Sequence, residues 1–166
     1  MATLEEIKQN REDLQKQLDA IDKAIQEVSK PTLPDTLHEL MLVAIDDLER
    51  AEETNGYKVS MGCWHEPLNG SCHVCFAGSV IAFSLSTGRN EDKAPCDFDC
   101  GIEHKLEALD YVRSGLVKDA AEGMGTATTL LSTLPESLEV VDYHQDPVKF
   151  KTQMRLIASW LGALGV

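Results

Sequence analysis

Positive charge is what this chain has least of. It carries 15 Lys plus Arg against 28 Asp plus Glu, a formal net charge of −13. A nucleic-acid binder needs a basic face to displace counterions, so general nucleic-acid binding is not expected. Docking on anionic lipid is disfavoured for the same reason. Long apolar runs are also missing. The longest candidate, Val74 to Leu85, is shorter than the 18 or more residues a membrane span needs and holds Gly78, Ser79 and Ser84. Catalytic fingerprints are absent too: no Walker loop, no dinucleotide glycine motif, no His-Glu-x-x-His and no nucleophile elbow occur. Six prolines and 43% hydrophobic residues exclude a wholly disordered chain.

What is present suits one folded domain with an appendage, since 166 residues match the size of a single domain. The start, Met1-Ala2-Thr3-Leu4-Glu5-Glu6, lacks the basic-then-apolar layout of a signal peptide. Five cysteines, an odd number without a secretion signal, read as reduced thiols, and a cytoplasmic protein is expected.

The first segment is the most legible. Leu4, Ile7, Arg11, Leu14, Leu18, Ile21, Ile25 and Val28 recur at spacings of 3 and 4, a heptad seam with one polar member. Thr3 with Glu6 reads as a capping box, and Lys30-Pro31 as the stop. The narrow stripe suits pairing with another helix, so residues 1–30 are expected to be an association helix and the protein a homo-oligomer.

Residues 31–166 read as a helical domain. Thr36 and Glu39 form a second capping box, followed by Leu37, Leu40, Met41, Ala44, Leu48 and Ala51 on one helical face. Asn55-Gly56 marks a turn, and Tyr57 to Met61 a short strand. From Ser71, a natural N-cap, a helix is expected through about Leu85; Val80-Ile81-Ala82-Phe83 suits a buried strand as well, and periodicity does not separate the two. Ser86 to Asp99 reads as a polar loop. Helices follow at Ile102 to Val112, Leu116 to Glu122 and, after Asp146-Pro147, along Phe150, Met154, Ile157, Leu161 and Leu164, with an extra turn or two at Thr128 to Leu134. The expected class is all-α or nearly so: a coiled-coil-like N-terminal helix, then a compact body of five or six helices with room for one short strand.

The block Gly62 to Cys75 holds three cysteines and two histidines and supports three readings. Cys72-x-x-Cys75 with Cys96-x-x-x-Cys100 is near the spacing of structural zinc sites, and Cys63 with His65 could replace one pair. Alternatively, Cys72 is a nucleophile. Gly70-Ser71-Cys72 is loosely similar to the Gly-Ser-Cys-Trp-Ala-Phe stretch of papain-like proteases, although His73 replaces the family tryptophan and the usual glutamine is missing. His104 or His144 would then be the base, oriented by Asp142 or Asp146. In the third reading the cysteines pack as small hydrophobes, while Trp64, His65 and Glu66, in a loop, stack on a ring and bond its edge. The favoured site set is ligand-binding, Trp64, His65, Glu66 and Arg113, with no catalytic residue, metal or cofactor assigned.

Charge is unevenly placed. Residues 1–56 carry 14 acidic and 6 basic residues, whereas Pro147 to Val166 hold Lys149, Lys151 and Arg155 and no acid. The plain reading of these cations is that they complement the acidic remainder of the fold.

Cys63-Trp64-His65, followed by Cys72-x-Val-Cys75-x-Ala-Gly-Ser-Val-Ile-Ala, resembles small accessory proteins encoded by tailed bacteriophages. Leu106 to Gly115 is similar to a Leu-Asp-x-x-Arg-x-Gly stretch of the same proteins. The resemblance implies expression in a bacterial host cytoplasm and action by binding. The expectation is a non-enzymatic inhibitor of host defence that sequesters a small, nucleotide-like anion or occludes a host protein. A Cys72-dependent hydrolase and a zinc-stabilised interaction protein are the alternatives.

Overall fold

The structure, a computed structural model, describes residues 4–28, 32–126 and 129–166. The chain divides into two units, Met1–Thr32 and Leu33–Val166. The expected Thr3–Glu6 capping box, the Pro31 stop and the start of the Thr128 turn lie outside the described residues.

The first unit is one helix, α1 (Leu4–Val28), of 25 residues. Its apolar seam is open to solvent: Leu14, Leu18, Ile21 and Ile25 are 60, 54, 54 and 57% exposed. Side-chain amides of Gln9 and Gln15 donate to the carboxylates one turn on, Asp13 and Asp19, which supports the helix from outside the seam.

The second unit is built on α2 (Leu37–Glu53), whose Leu37, Leu40, Met41, Ala44, Ile45, Leu48 and Ala51 are all buried. Its N-cap is Thr36, but the expected capping box does not form. Thr36 Oγ1 donates directly to Glu39 Oε2 at 2.6 Å, so the pair satisfies itself and leaves the backbone N–H groups unbonded by it. Against α2 pack α3 (Phe76–Ala82), α4 (Cys100–Arg113) and α6 (Pro147–Leu164), with α5 (Val117–Gly123) folded onto α4. The core is centred on Phe76, Phe150 and Tyr143, whose rings meet edge to face at 5.6–5.8 Å. Asp146 caps α6 by accepting from the Lys149 N–H at 2.9 Å, Pro147 begins it, and Gly165 ends it at φ +75°.

Between α2 and α4 the chain departs from expectation. Three strands appear where one was expected: β1 (Tyr57–Val59), β2 (His65–Leu68) and β3 (Ser71–Val74), in the order β1-β3-β2. β1 runs parallel to β3, and β2 antiparallel. Ser71 does not start a helix. Asn69 and Gly70, at φ +51° and +82°, make a type I′ hairpin turn, and burial alternates along Ser71-Cys72-His73-Val74 as a half-buried strand requires. The helix begins one step later, capped by Cys75, whose Sγ accepts from the Gly78 N–H at 3.3 Å. α3 is then buried on every side, which explains why its apolar residues show no helical period. His65, Glu66 and Pro67 likewise lie in β2 instead of a loop, with Trp64 just before the strand.

The mostly helical expectation holds: six α-helices and one small mixed sheet are present among the described residues. No helix among them is long and apolar enough to cross a membrane.

Candidate functional site

Two antiparallel neighbours on the hairpin set the chemistry. His65 pairs with Val74 and Pro67 with Cys72, so His65 and Cys72 lie on the same sheet face, as diagonal neighbours. That face is the inner one, where Cys72 joins Ala51, Val74 and Ala82 in a small apolar cluster. His65 Nε2 stands 3.5 Å from Cys72 Sγ, and Nδ1 stands 2.8 Å from the Glu91 carbonyl oxygen. A carbonyl only accepts, so Nδ1–H donates to it, and Nε2 faces the thiol. Burial pushes the Cys72 thiol up to about 11, with Arg89 opposing and Asp92 reinforcing that shift. The thiol beside Nε2 is therefore held in its protonated form.

Trp64, one residue earlier, turns to another side. Its carbonyl accepts from the Cys75 N–H at 3.3 Å and ties the start of β2 to the start of α3. Its ring is half-buried against the main core. With Met61, Cys63, Cys75, Asp110 and Arg113 it lines a cavity of about 250 Å³. Arg113 arrives on the last turn of α4, where its Nε–H donates to Asp110 Oδ1 at 2.9 Å and an Nη2–H donates to the same oxygen. Two of its five N–H donors are spent this way. A second cavity of about 250 Å³, lined by Val140, Val141, Tyr143 and Phe150, also includes Met61 and Arg113.

The four residues expected to bind ligand thus divide. Trp64 and Arg113 come together on one cavity. His65 is fully buried beneath the sheet, with both ring nitrogens engaged, and Tyr57 lies edge-on to it at 6.4 Å. Glu66, half-buried on the opposite sheet face, pairs across the strand with His73. It does not line the Trp64 cavity; its carboxylate bonds the thiol of Cys63, which that hydrogen bond and burial push up.

The remaining cysteines do not converge. Cys75 is buried as the α3 cap, its thiol pushed up to about 11 by burial, while Cys96 and Cys100 are exposed. Cys100 Sγ lies 3.6 Å from His104 Nε2, one turn along α4. Among the described residues no group of three or more His, Cys, Asp or Glu side chains is arranged to hold a metal. His104 and His144, the expected bases for Cys72, are engaged elsewhere: His144 Nε2 accepts from the Met61 N–H at 3.4 Å. The signal for His65 was the Asn69-Gly70 dipeptide, because a two-residue hairpin sets the register that brings His65 to Cys72.

A third cavity of about 250 Å³ lies at the hairpin turn, lined by Gly70, Ser71, Cys72, Arg89 and Asn90. Arg89 crosses it to donate to the Asn55 carbonyl at 3.2 Å. Two of the three basic residues of α6 are paired. Lys151 Nζ meets Glu52 Oε2 at 2.6 Å, and Arg155 Nη2 meets Glu49 Oε1 at 2.7 Å, both on α2. No protein-family description, curated protein or solved structure matches the chain.

Proposed function

We propose that this chain is a non-enzymatic, self-associating binding protein whose body holds a small anionic ligand between Trp64 and Arg113. The observation that carries the reading is the meeting of those two side chains, from the residue before β2 and from α4, on one cavity. An indole face stacks on a planar ring. The three guanidinium N–H groups not given to Asp110 are directional donors for a phosphate or carboxylate. A cavity of about 250 Å³ falls just under the size of usual ligand sites, and its neighbour, which shares Met61 and Arg113, extends the room. A nucleotide-like molecule has both a ring and an anion. The resemblance to tailed-phage accessory proteins supplies a setting: withholding such a signal from a host defence. The exposed seam of α1 supports self-association.

The test is titration of a panel of nucleoside mono- and diphosphates into a Trp160→Phe chain, leaving Trp64 as the fluorescent reporter. Saturable quenching by at least one member is expected. Arg113→Ala should weaken it about 10- to 100-fold, since a charge-assisted hydrogen bond is worth roughly 1.5–3 kcal/mol. No quenching and no heat from any member would sink the ligand reading and leave occlusion of a protein partner.

One observation favours a second reading, the 3.5 Å approach of Cys72 Sγ to His65 Nε2. It is the nucleophile–base spacing of a cysteine hydrolase, with the Glu91 carbonyl as orienter. The raised thiol and the apolar cluster around it weigh against that role. A thiol-directed probe that labels Cys72 in the native protein faster than in the unfolded chain would reverse the order of the two readings.

A further inference from the structure

From the seam of α1 we infer that this helix pairs antiparallel with α1 of a second copy, the two overlapping over their full length. The inference rests on the self-association just proposed and adds direction and register to it. Along α1, the a positions are Leu4, Arg11, Leu18 and Ile25, and the d positions are Ile7, Leu14, Ile21 and Val28. Leu14, Leu18, Ile21 and Ile25 are exposed with continuous 3-4 spacing, and a seam two residues wide per heptad matches a single partner helix of the same period.

Direction is decided by Arg11. In a parallel pair, a positions face themselves, so Arg11 would meet the partner's Arg11 inside the seam. The flanking positions there hold Lys8, Asn10, Gln15 and Gln17, none of them a carboxylate. Two like charges would be brought together without compensation.

Antiparallel pairing places a against d. Full overlap sets Leu14 against the partner's Leu18, and Arg11 against the partner's Ile21. It also sets the e position Lys8 opposite the partner's Asp22 and Gln15 opposite the partner's Gln15. Asp22 follows Ile21, so the partner's carboxylate stands beside the layer that receives Arg11 and also faces Lys8. Lys8 and Arg11 of each copy thus share the partner's Asp22, and the arrangement repeats by symmetry. In this arrangement the seam arginine selects direction instead of opposing assembly, as single polar seam residues do in paired helices.

The experiment uses the full chain with Cys63, Cys96 and Cys100 changed to Ser and the buried Cys72 and Cys75 kept. Sedimentation should give twice the 18.3 kDa chain mass, and Leu18→Asp should return it to one. Lys8→Cys and Asp22→Cys chains are then mixed and treated with a short bis-maleimide. The mixture should cross-link, and Asp22→Cys alone should not. Ile25→Cys alone should stay uncross-linked, because its counterpart lies at the far end of the partner helix. A dimer that cross-links through Ile25→Cys alone overturns the antiparallel inference and leaves self-association standing. A monomer before any mutation overturns both.

Discussion

The carbonyl oxygen of Trp64 and the α-carbon of Gly78 approach so closely that a methyl group on Gly78 would stand 1.5 Å from that oxygen. This contact seats α3 against the residue before β2, and Trp64 lines the Arg113 cavity. The Cys75 N–H bond to the same carbonyl holds the approach in place.

Gly78→Ala should therefore destabilise the body by roughly 3 kcal/mol or more, beyond the usual cost of an overpacked core, because the clashing atom is backbone and α3 is buried on all sides. Urea denaturation followed by circular dichroism measures it. A loss under 1 kcal/mol would mean that α3 can move away from β2.

Gly70→Ala should cost less, about 1 kcal/mol, since Gly70 has open space around it and only its φ of +82° is strained by a side chain. The hairpin register should survive, and with it the His65–Cys72 approach. Amide exchange on Cys72 and Val74 tests this: protection should fall modestly without changing pattern.

The five thiols should react in two classes. Cys96 and Cys100 are exposed and should label rapidly in the native protein, with Cys63 slower. Cys72 and Cys75 should label only on unfolding. Burial raises these last two to about 11, so the folded state keeps them protonated after the unfolded chain has begun to ionise. Their contribution to stability is complete below about pH 8.5 and is lost as pH rises through about 11. Denaturation midpoints between pH 8 and 11 should fall, and a Cys75→Ala chain should fall less steeply.

Asp47 on α2 shows the reverse sign to most carboxylates. Its burial pushes it up, opposed by the hydrogen bond from Ser84 (2.5 Å) and the charge of Arg50. The folded state therefore holds its proton to higher pH than the unfolded chain, and ionisation costs stability as pH rises through the folded value. Asp47→Asn keeps the acceptor for Ser84 and removes the charge. It should be neutral or stabilising by up to about 1 kcal/mol at pH 7, with no advantage near pH 3. A marked loss at pH 7 would show that the charge itself is needed.

Much of the helical body was readable because its signals are local. The 3-4 spacing of α2 and α6, Asp146-Pro147 and the heptads of α1 each act within a turn or two of the residue concerned. The hairpin is hard to read locally, because Ser71 is as good an N-cap as it is a strand residue. Its neighbour Asn69-Gly70 had the stronger claim, and the apolar residues of α3 are buried on all sides and so leave no period. At the site, Trp64 and Arg113 could be named from the chain, but that they share a cavity could not, because it depends on how α4 packs against α3 and α2. His65 as the neighbour of Cys72 needed the hairpin register.

By itself the sequence determined the acidic character of the molecule, the mainly helical class, the caps of α6 and the apolar seam of α1. All of these follow from composition or from residues within four positions of one another. Only the tertiary structure decided which cysteines are buried, that Lys151 and Arg155 are neutralised by Glu52 and Glu49, and that His65 turns inward while Trp64 turns toward Arg113. Those outcomes depend on contacts between residues far apart in the chain, where packing, and not local preference, sets the geometry.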